Sequence, residues 1–346
     1  MGLRRRTHAA EHALIHRPVP NFSVSHNPTK GSITIDGAGF ESCRSVVESG
    51  EVIAMRQTHV MTSAPRLDLE AVAQLLREVA EEAINPRFRS LQDSDVWEKS
   101  PGEVVTMVDR EAEALLVRGL GQLLPRVPVI GEEDAADRPA VLDLLAAPGP
   151  VWLVDPLDGT PAFVAGSPEH AVMVALVDGG QTVASVIYQP QHDRMYIAER
   201  GSGAFADGVR LRRTPSTSDL ASLRGGVLRR FLDDRTRAAV DAAAHRFGDL
   251  TPGTTCAGIE YPLIAEGRQD FLLFWRTLPW DHAAGALLVT EAGGVARRLD
   301  GSDYTPARPG EGLLVSGDKA MHSRVFAGLG LGQAGRSMAE VASTSV

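Results

Sequence analysis

The sequence predicts a mixed fold that combines α+β and α/β arrangements. Three observations support this prediction: apolar residues at helical spacing, short apolar runs bounded by Gly or Pro, and a regular alternation of the two in the second half of the chain. The chain has 346 residues, of which 43% are hydrophobic and 23% are charged. It is therefore long enough for a large buried core, arranged as two domains or as two stacked sheets.

Two helices are predicted in the first half of the chain. From Leu69 onward the apolar residues follow helical spacing, and Pro86 marks the end of this helix. A second helix is predicted for residues 109–120, where Thr106 and Asp109 have the spacing of a capping box. Both segments have one apolar face, so we expect both helices to pack on the core.

Short apolar runs predict the strands. In the first half these runs are residues 127–130, 151–154, 171–177, 183–188 and 195–198. The sequence Asp-Gly-Gly at 178–180 is typical of a hairpin turn between two of them. The second half alternates strand, helix, strand, helix and strand, at residues 223–228, 235–245, 271–274, 283–292 and 312–316. This alternation predicts an α/β second half.

The predicted domain organisation has four parts. Residues 1–60 lack a sustained period of 2 or 3.6, so we predict a poorly structured N-terminal extension, with a regulatory or interface segment as the alternative. Residues 61–206 form an N-terminal α+β half, and residues 207–330 form a C-terminal α/β half. Residues 331–346 are rich in Gly, Ser and Ala and are predicted to be a flexible tail.

Composition argues against several classes of protein. The formal net charge of −9 is unfavourable for a general nucleic-acid binder, which needs a basic surface against the phosphates. The sequence contains no apolar run near the ~20 residues that cross a bilayer, so no membrane partner is expected. Cys43 and Cys256 are too few for a disulfide framework or a thiolate zinc site. We therefore expect a cytoplasmic protein.

Three acidic segments lie where predicted strands end or a predicted helix begins. Asp155 follows the apolar run 151–154 and opens the string Asp-Pro-Leu-Asp-Gly-Thr, in which Pro156 restricts the backbone of Asp155. Glu132 follows another predicted strand, and Asp281 comes just before a predicted apolar helix. Carboxylates this close raise each other's pKa unless a cation lies between them. Such a set suits a pair of hard cations that prefer oxygen ligands.

Each segment taken alone has a simpler interpretation. An Asp-Gly dipeptide is typical of a turn, Asp281 is typical of a helix N-cap, and Glu132-Glu133-Asp134 is typical of a solvated loop or helix start. The complete string from Asp155 to Thr160 is more specific, because a turn does not need Pro, Gly and Thr in this order. The sequence has no Gly-x-Ser-x-Gly elbow, P-loop or dinucleotide fingerprint.

Together these motifs resemble the signatures of the inositol monophosphatase family, within the lithium-sensitive, magnesium-dependent phosphatase superfamily. The resemblance covers about residues 69–330 and includes Lys99, the pair Thr106 and Asp109, and Glu291-Ala-Gly-Gly294. It implies a layered αβαβα sandwich of the inositol monophosphatase and fructose-bisphosphatase type, with the site between the two halves. It also implies a homodimer.

The resemblance further implies the roles of individual residues. Glu132, Asp155 and the backbone carbonyl of Leu157 would bind one Mg²⁺, and Asp155, Asp158 and Asp281 a second. Glu132 and the Thr160 hydroxyl would position the attacking water, with Asp109 and Thr106 in an outer shell or at a weak third metal. Residues expected to contact the substrate are Asp158, Gly159, Thr160, Ala257, Glu260, Phe274, Arg276 and Asp281.

The chain departs from the family pattern at two places. Pro161-Ala162 replace the usual Thr and Asn after Asp-Gly-Thr, and Pro161 suits the first turn of a short helix. Phe274 stands where inositol-specific members carry a Glu that binds a substrate hydroxyl. Arg276 could pair with a second phosphate or a carboxylate, or simply be an exposed residue. The substrate is therefore less well predicted than the chemistry.

The favoured hypothesis is a Mg²⁺-dependent, lithium-sensitive phosphomonoesterase with two or three metals, acting on an inositol monophosphate or a sugar phosphate. The alternative is a phosphatase for a 3′(2′),5′-bisphosphate nucleotide, fructose 1,6-bisphosphate or histidinol phosphate. A third hypothesis, from a different class, is a non-catalytic binding protein that keeps the metal site and uses the N-terminal segment or the altered substrate wall to engage a partner.

Overall fold

The strands belong to two hairpins and two larger sheets. A computed structural model describes residues 22–27, 32–37, 67–100, 103–216 and 219–332, the first two ranges as backbone strands only. Strands β1 (Phe22–Asn27) and β2 (Ser32–Gly37) pair antiparallel, as do β3 (Val96–Ser100) and β4 (Glu103–Thr106).

A seven-stranded sheet organises the first half of the chain. Its strands are β5 (Val129–Gly131), β6 (Pro150–Asp158), β7 (Ala171–Asp178), β8 (Gln181–Gln189), β9 (Arg194–Glu199), β10 (Gly203–Ala206) and β11 (Val209–Leu211). They lie in the order β11-β10-β9-β8-β7-β6-β5. Only β5 and β6 run parallel, and the other neighbours are antiparallel. All predicted strands of the first half are confirmed, and β10 and β11 extend the sheet.

A five-stranded sheet organises the second half. Its strands are β12 (Arg224–Val227), β13 (Asp249–Thr251), β14 (Phe271–Phe274), β15 (Val295–Arg298) and β16 (Leu313–Ser316), in the order β13-β12-β14-β16-β15. Strand β12 pairs in parallel with β13 and β14, whereas β16 is antiparallel to β14 and β15. The sheet is therefore mixed.

Eight α-helices lie among the described residues and connect these strands. They are α1 (Leu69–Val79), α2 (Met107–Leu123), α3 (Glu132–Asp137), α4 (Thr160–Val164), α5 (Asp234–Ala243), α6 (Ala257–Ala265), α7 (Pro279–Glu291) and α8 (Lys319–Gly328) among the described residues. The Asp68 carboxylate caps α1 by accepting from the N–H groups of Glu70 and Ala71. The predicted capping box of Thr106 and Asp109 starts α2. None of these helices is long and apolar enough to cross a membrane.

The buried residues show how the layers stack. Helices α1 and α2 pack on one face of the seven-stranded sheet, through a core that contains Leu76, Leu116 and Trp152. Helices α6 and α7 fill the space between the two sheets. Helices α5 and α8 cover the outer face of the five-stranded sheet. The order is therefore helix, sheet, helix, sheet, helix, which confirms the predicted layered fold.

Three details differ from the sequence-based expectations. Residues 1–60 were predicted to lack regular structure, yet β1 and β2 lie there, because the alternations Ser-Val-Ser and Ile-Thr-Ile have the period of a strand. The rest of that segment and residues 333–346 lie outside the described residues. Helix α7 begins at Pro279 with Leu278 as its N-cap, so Asp281 lies inside the first turn and is not the cap. Helix α6 was not predicted, because it is buried on every side and has no polar stripe.

Candidate functional site

The acidic string lies at the end of strand β6, next to the edge strand β5. The pairing of β6 with β7 is irregular between Asp155 and Asp158, so the strand bulges here instead of ending at Val154. The N–H of Leu157 donates to Asp155 Oδ1 at 3.1 Å. Gly159 has φ +85°, and a Cβ there would lie 2.8 Å from the Glu169 carbonyl oxygen. Glycine is therefore required at the turn that leads into α4.

The side chain of Asp158 is held by the start of helix α6. Its Oδ2 accepts from the Gly258 N–H at 2.5 Å and from the Cys256 thiol at 3.0 Å. Burial raises the pKa of Asp158 to about 6, although the Cys256 thiol and the backbone N–H groups oppose that rise. Asp158 thus joins the seven-stranded sheet to the helix layer beneath it.

Thr160 and Asp109 form a second buried network, between α4 and α2. The Thr160 hydroxyl lies 2.9 Å from Asp109 Oδ1 and 3.0 Å from the Leu157 carbonyl oxygen. The hydroxyl and N–H of Thr106 both donate to Asp109 Oδ2, at 2.6 and 2.8 Å. Burial raises the pKa of Asp109 to about 6, against the effect of the Thr106 hydrogen bonds. The capping pair of Thr106 and Asp109 therefore also contacts Thr160.

Glu132 begins α3 directly after β5. The Glu113 carboxylate caps α3 by accepting from the N–H groups of Glu133 at 2.8 Å and Asp134 at 3.0 Å. Lys99, on the hairpin of β3 and β4, places its Nζ 3.2 Å from Glu132 Oε1 and also pairs with Glu133. Burial raises the pKa of Glu132 to about 7, although the charge of Lys99 opposes this.

Glu132, Asp155, Asp158 and Asp281 line one cavity, and we call them the acidic cluster. Burial, followed by the negative charges of the neighbouring carboxylates, holds the pKa values of Asp155 and Asp281 well above their usual range. Lys99 and Arg276 oppose the rise at Asp281. These two cations therefore do not cancel the effect of burial and of the neighbouring carboxylates on Asp281.

The donors of the acidic cluster suit a divalent metal ion in chemistry and charge. All are carboxylate oxygens, which Mg²⁺ prefers, and their mutual repulsion is what a bound cation relieves. With the side chains as they stand, no group of three or more His, Cys, Asp and Glu residues in the described part of the chain is arranged to hold a metal ion. Asp158 faces the start of α6, and Glu132 pairs with Lys99. The cluster thus fits a metal by composition, with Asp155, Asp158 and Glu132 engaged by protein groups.

The cavity has a volume of about 620 Å³ and is also lined by aromatic and basic residues. We call residues 228–231, 274–276 and 278 the outer wall. The ring of Phe274 stacks on Tyr261 at 5.2 Å between centroids. The Arg276 guanidinium carbon lies 4.4 Å from the centroid of the Phe231 ring, and Arg276 pairs with Glu103. The outer wall is therefore aromatic and cationic.

His282 supports the outer wall from below. Its Nε2 lies 3.1 Å from the Arg276 carbonyl oxygen, and its Nδ1 lies 2.9 Å from the Tyr261 hydroxyl. Burial lowers the pKa of His282 to about 4, so the ring is neutral at pH 7. A carbonyl can only accept, so Nε2 carries the proton and Nδ1 accepts from Tyr261.

Most of the predicted site residues come together, and three do not reach the cavity. Lining it are Glu132, Asp155, Leu157, Asp158, Gly159, Thr160, Ala257, Phe274, Arg276 and Asp281. Asp109 and Thr106 lie behind Thr160, as an outer shell would. Glu260 was expected to contact substrate, but it is 2% exposed and accepts from the Thr254 N–H under the wall. Its place on the fully buried helix α6 turns it inward.

Sequence reasoning did not identify several residues that shape the site. Cys256 and Gly258 were missed as partners of Asp158, and Glu103 was missed as the partner of Arg276. Phe231 and the two preceding arginines were missed as wall residues. The available signal was an Arg-Arg-Phe run just after a predicted strand, where functional loops often lie.

Comparisons with known proteins match one family over most of the chain. The model of the inositol monophosphatase family matches residues 66–330. An inositol-1-monophosphatase of Mesorhizobium japonicum is 35% identical over 232 residues, which are 62% of this chain and 79% of that protein. A fructose-1,6-bisphosphatase/inositol-1-monophosphatase of Thermotoga maritima is 31% identical over 220 residues, or 60% of this chain and 77% of that protein.

A solved structure is similar as well. The chain matches an IMPase of Thermotoga maritima with a TM-score of 0.63 and 27% sequence identity, over 76% of this chain and 96% of that one. The similarity thus extends over nearly the whole of the solved protein.

Proposed function

This chain belongs to the inositol monophosphatase family, which makes it a phosphoric monoester hydrolase, and we propose that its activity depends on Mg²⁺. The proposed substrate is a small phosphorylated alcohol, such as an inositol monophosphate or a sugar phosphate. The observation that carries this proposal is the acidic cluster, because four carboxylates that line one cavity would repel a phosphate ester unless cations lay between them. The family is metal-dependent, which agrees with this requirement.

The proposal assigns the metal ligands within the acidic cluster. Glu132, Asp155 and the Leu157 carbonyl would hold one ion, and Asp155, Asp158 and Asp281 a second. Bound Mg²⁺ would lower the pKa of the attacking water and neutralise the leaving oxygen. Lys99 pairs with Glu132 in the present arrangement, so we expect Lys99 to move to the substrate phosphate or to solvent when Glu132 becomes a ligand.

Thr160 and Asp109 would orient the attacking water. The Thr160 hydroxyl has one proton, which it donates to Asp109 or to the Leu157 carbonyl. Its oxygen lone pairs therefore stay available to accept from a water in the cavity. Turning the Thr160 O–H bond towards the water would be unfavourable, because Asp109 is buried and is itself fixed by Thr106. The N–H groups of Gly159 and Thr160 would bind phosphate oxygens, because the turn presents them without a bulky side chain.

The nature of the outer wall bears on the substrate. Phe274 cannot accept a hydrogen bond from a substrate hydroxyl, which argues against a tight inositol site. Fructose 1,6-bisphosphate, a 3′(2′),5′-bisphosphate nucleotide and histidinol phosphate stay alternatives, and the Thermotoga relative bears a name with both a bisphosphatase and an inositol monophosphatase activity. A non-catalytic binding protein is less favoured, because no expected acidic ligand is missing.

Three further properties are proposed by family resemblance: inhibition by Li⁺, a homodimer and a cytoplasmic location. The low number of cysteines supports a reducing compartment. Sedimentation of the purified chain would test the dimer.

A phosphate-release screen tests the proposed function. The full chain is assayed against the esters named above, with Mg²⁺, with EDTA, and with Mg²⁺ plus Li⁺. We expect phosphate release with Mg²⁺ that EDTA abolishes and Li⁺ reduces. Purified, folded protein that releases no phosphate from any ester would reject the proposal and favour the binding-protein hypothesis.

A further inference from the structure

The outer wall contains an arginine that hydrolysis of a phosphate ester does not require. We propose that Arg276 recognises a second anionic group on the substrate, a carboxylate or a phosphate, and that Glu103 occupies this position until the substrate binds. This inference rests on the proposed phosphatase function and narrows the substrate to a phosphate ester that carries another negative charge.

The backbone around Arg276 is fixed from two sides. The Arg276 carbonyl accepts from His282 Nε2 at 3.1 Å, and the carbonyl of the preceding Trp275 accepts from the Gly312 N–H at 2.8 Å. The guanidinium group lies over the Phe231 ring, with 4.4 Å from its carbon to the ring centroid. A guanidinium stacked by its face keeps its N–H edge available for a planar or tetrahedral anion. Arg276 is thus oriented before any ligand arrives.

The present partner of Arg276 is easy to exchange. Glu103 lies on the hairpin of β3 and β4, and the two side chains are 34% and 38% exposed. Ion pairs that solvent reaches this readily contribute little to stability. A substrate anion that replaced Glu103 would keep the Phe231 contact and would exchange one carboxylate-guanidinium pair for another. A neutral hydroxyl would gain nothing by displacing Glu103, so the wall discriminates by charge.

Arg276 and the acidic cluster share one site. Both line the same cavity of about 620 Å³. The second anion and the phosphate ester must therefore belong to one small molecule that fits this volume. Arg229 and Arg230 also line the outer wall, but Arg276 is the arginine whose backbone carbonyl is held by His282 and whose guanidinium lies over Phe231.

The test uses two pairs of matched esters. Glycerol 2-phosphate and 2-phosphoglycerate differ in one carboxylate, and fructose 1-phosphate and fructose 1,6-bisphosphate differ in one phosphate. For each pair, the preference is a ratio between the ester with two anionic groups and the ester with one. It is taken from kcat/KM and, separately, from the dissociation constants measured by calorimetry. The two pairs also separate a carboxylate ligand from a phosphate ligand.

Two variants should change this preference in opposite directions. Arg276→Gln should lower it by about fivefold, and Glu103→Gln, which removes the competing carboxylate, should raise it by about twofold to threefold. Arg308→Gln is the matched control, because Arg308 pairs with Asp300 on the surface and does not line the cavity. It should leave the preference unchanged.

The outcomes separate the two proposals. If the wild type binds these esters but hydrolyses none, the proposed function is wrong, and the affinity ratios still decide the role of Arg276. If the ratios in both pairs are the same in the wild type and in Arg276→Gln, the anion proposal is wrong. Equal losses for all four esters would also overturn it, because they would place Arg276 at the reacting phosphate or in a purely structural role.

Discussion

The acidic cluster and the outer wall are held by different kinds of interaction. In the acidic cluster, backbone N–H groups fix two of the four carboxylates: Leu157 donates to Asp155, and Gly258 donates to Asp158. The Lys99 side chain pairs with Glu132. In the outer wall, side chains hold one another, through Phe231 beneath Arg276 and Glu103 beside it. Backbone contacts survive most substitutions, whereas side-chain pairs change with a single one. This difference indicates that the chemistry is fixed by the first region and the substrate by the second.

Replacing one carboxylate of the acidic cluster should have the largest effect. Asp155→Asn keeps the shape of the side chain but removes the charge that we assign to both metal ions. We expect kcat/KM for phosphate release to fall by about 10³-fold or more, because metal activation of water is lost. Asp300→Asn, on the surface, is the control and should retain full activity. Activity of Asp155→Asn within tenfold of the wild type would contradict the assignment.

The pH dependence of stability gives the next effect. Burial raises the pKa values of Glu132 to about 7 and of Asp158 to about 6, above those of an unfolded chain. Between about pH 4 and 7 the native metal-free state therefore binds more protons than the unfolded state, so this contribution to the free energy of unfolding falls as pH rises. Buried histidines, such as His170 and His322 with pKa values near 4, act in the opposite direction.

The difference between Tm with Mg²⁺ and Tm with EDTA, taken at each pH, removes the histidine contribution. Mg²⁺ that binds the native state raises Tm, but at pH 5 it must displace protons from the carboxylates. We expect the gain in Tm on adding Mg²⁺, relative to EDTA, to grow by roughly several °C between pH 5 and pH 8. The same gain at both pH values, or a larger one at pH 5, would argue against metal binding at these carboxylates.

Substitutions at Cys256 test how far Mg²⁺ binding at the acidic cluster depends on a neighbouring side chain. Its thiol is fully buried and lies 3.0 Å from Asp158 Oδ2. Cys256→Ala removes this donor and leaves the Gly258 N–H, so we expect the half-saturating Mg²⁺ concentration to rise about threefold. Cys256→Ser keeps a donor and should stay within about twofold of the wild type. If the Ala and Ser variants behave alike, the thiol acts only by packing.

The two regions also differ in how far the sequence predicts them. The string from Asp155 to Thr160 is continuous and lies at a strand end, so its residues are necessarily close together in the fold. The capping box at Thr106 is local in the same way. The partners of the outer wall are distant in sequence, since Glu103 and Arg276 are 173 residues apart. Only the tertiary fold brings the hairpin of β3 and β4 beside Arg276. Glu260 shows the same limit, because helical spacing does not reveal that α6 is buried on every side.

The smallest effect on turnover is expected from Tyr261→Phe, beneath the outer wall. The variant keeps the stacking on Phe274 but leaves the buried Nδ1 of His282 without a donor. That loss should lower the free energy of unfolding by about 1–3 kcal/mol, measured by urea titration. Because the backbone contacts of the acidic cluster are untouched, kcat should change less than about twofold, and KM by about threefold at most.

Tyr188→Phe is the matched control for that variant. It also removes one tyrosine hydroxyl, which donates to Asp193 at 3.2 Å and has no contact with His282. It should lower the free energy of unfolding by less than Tyr261→Phe does. Asp193 does not lie in a closed core, so it does not depend on this donor. If Tyr261→Phe instead lowered kcat by an order of magnitude, the outer wall would influence the chemistry directly. The division of the cavity into a region for reaction and a region for substrate choice would then be wrong.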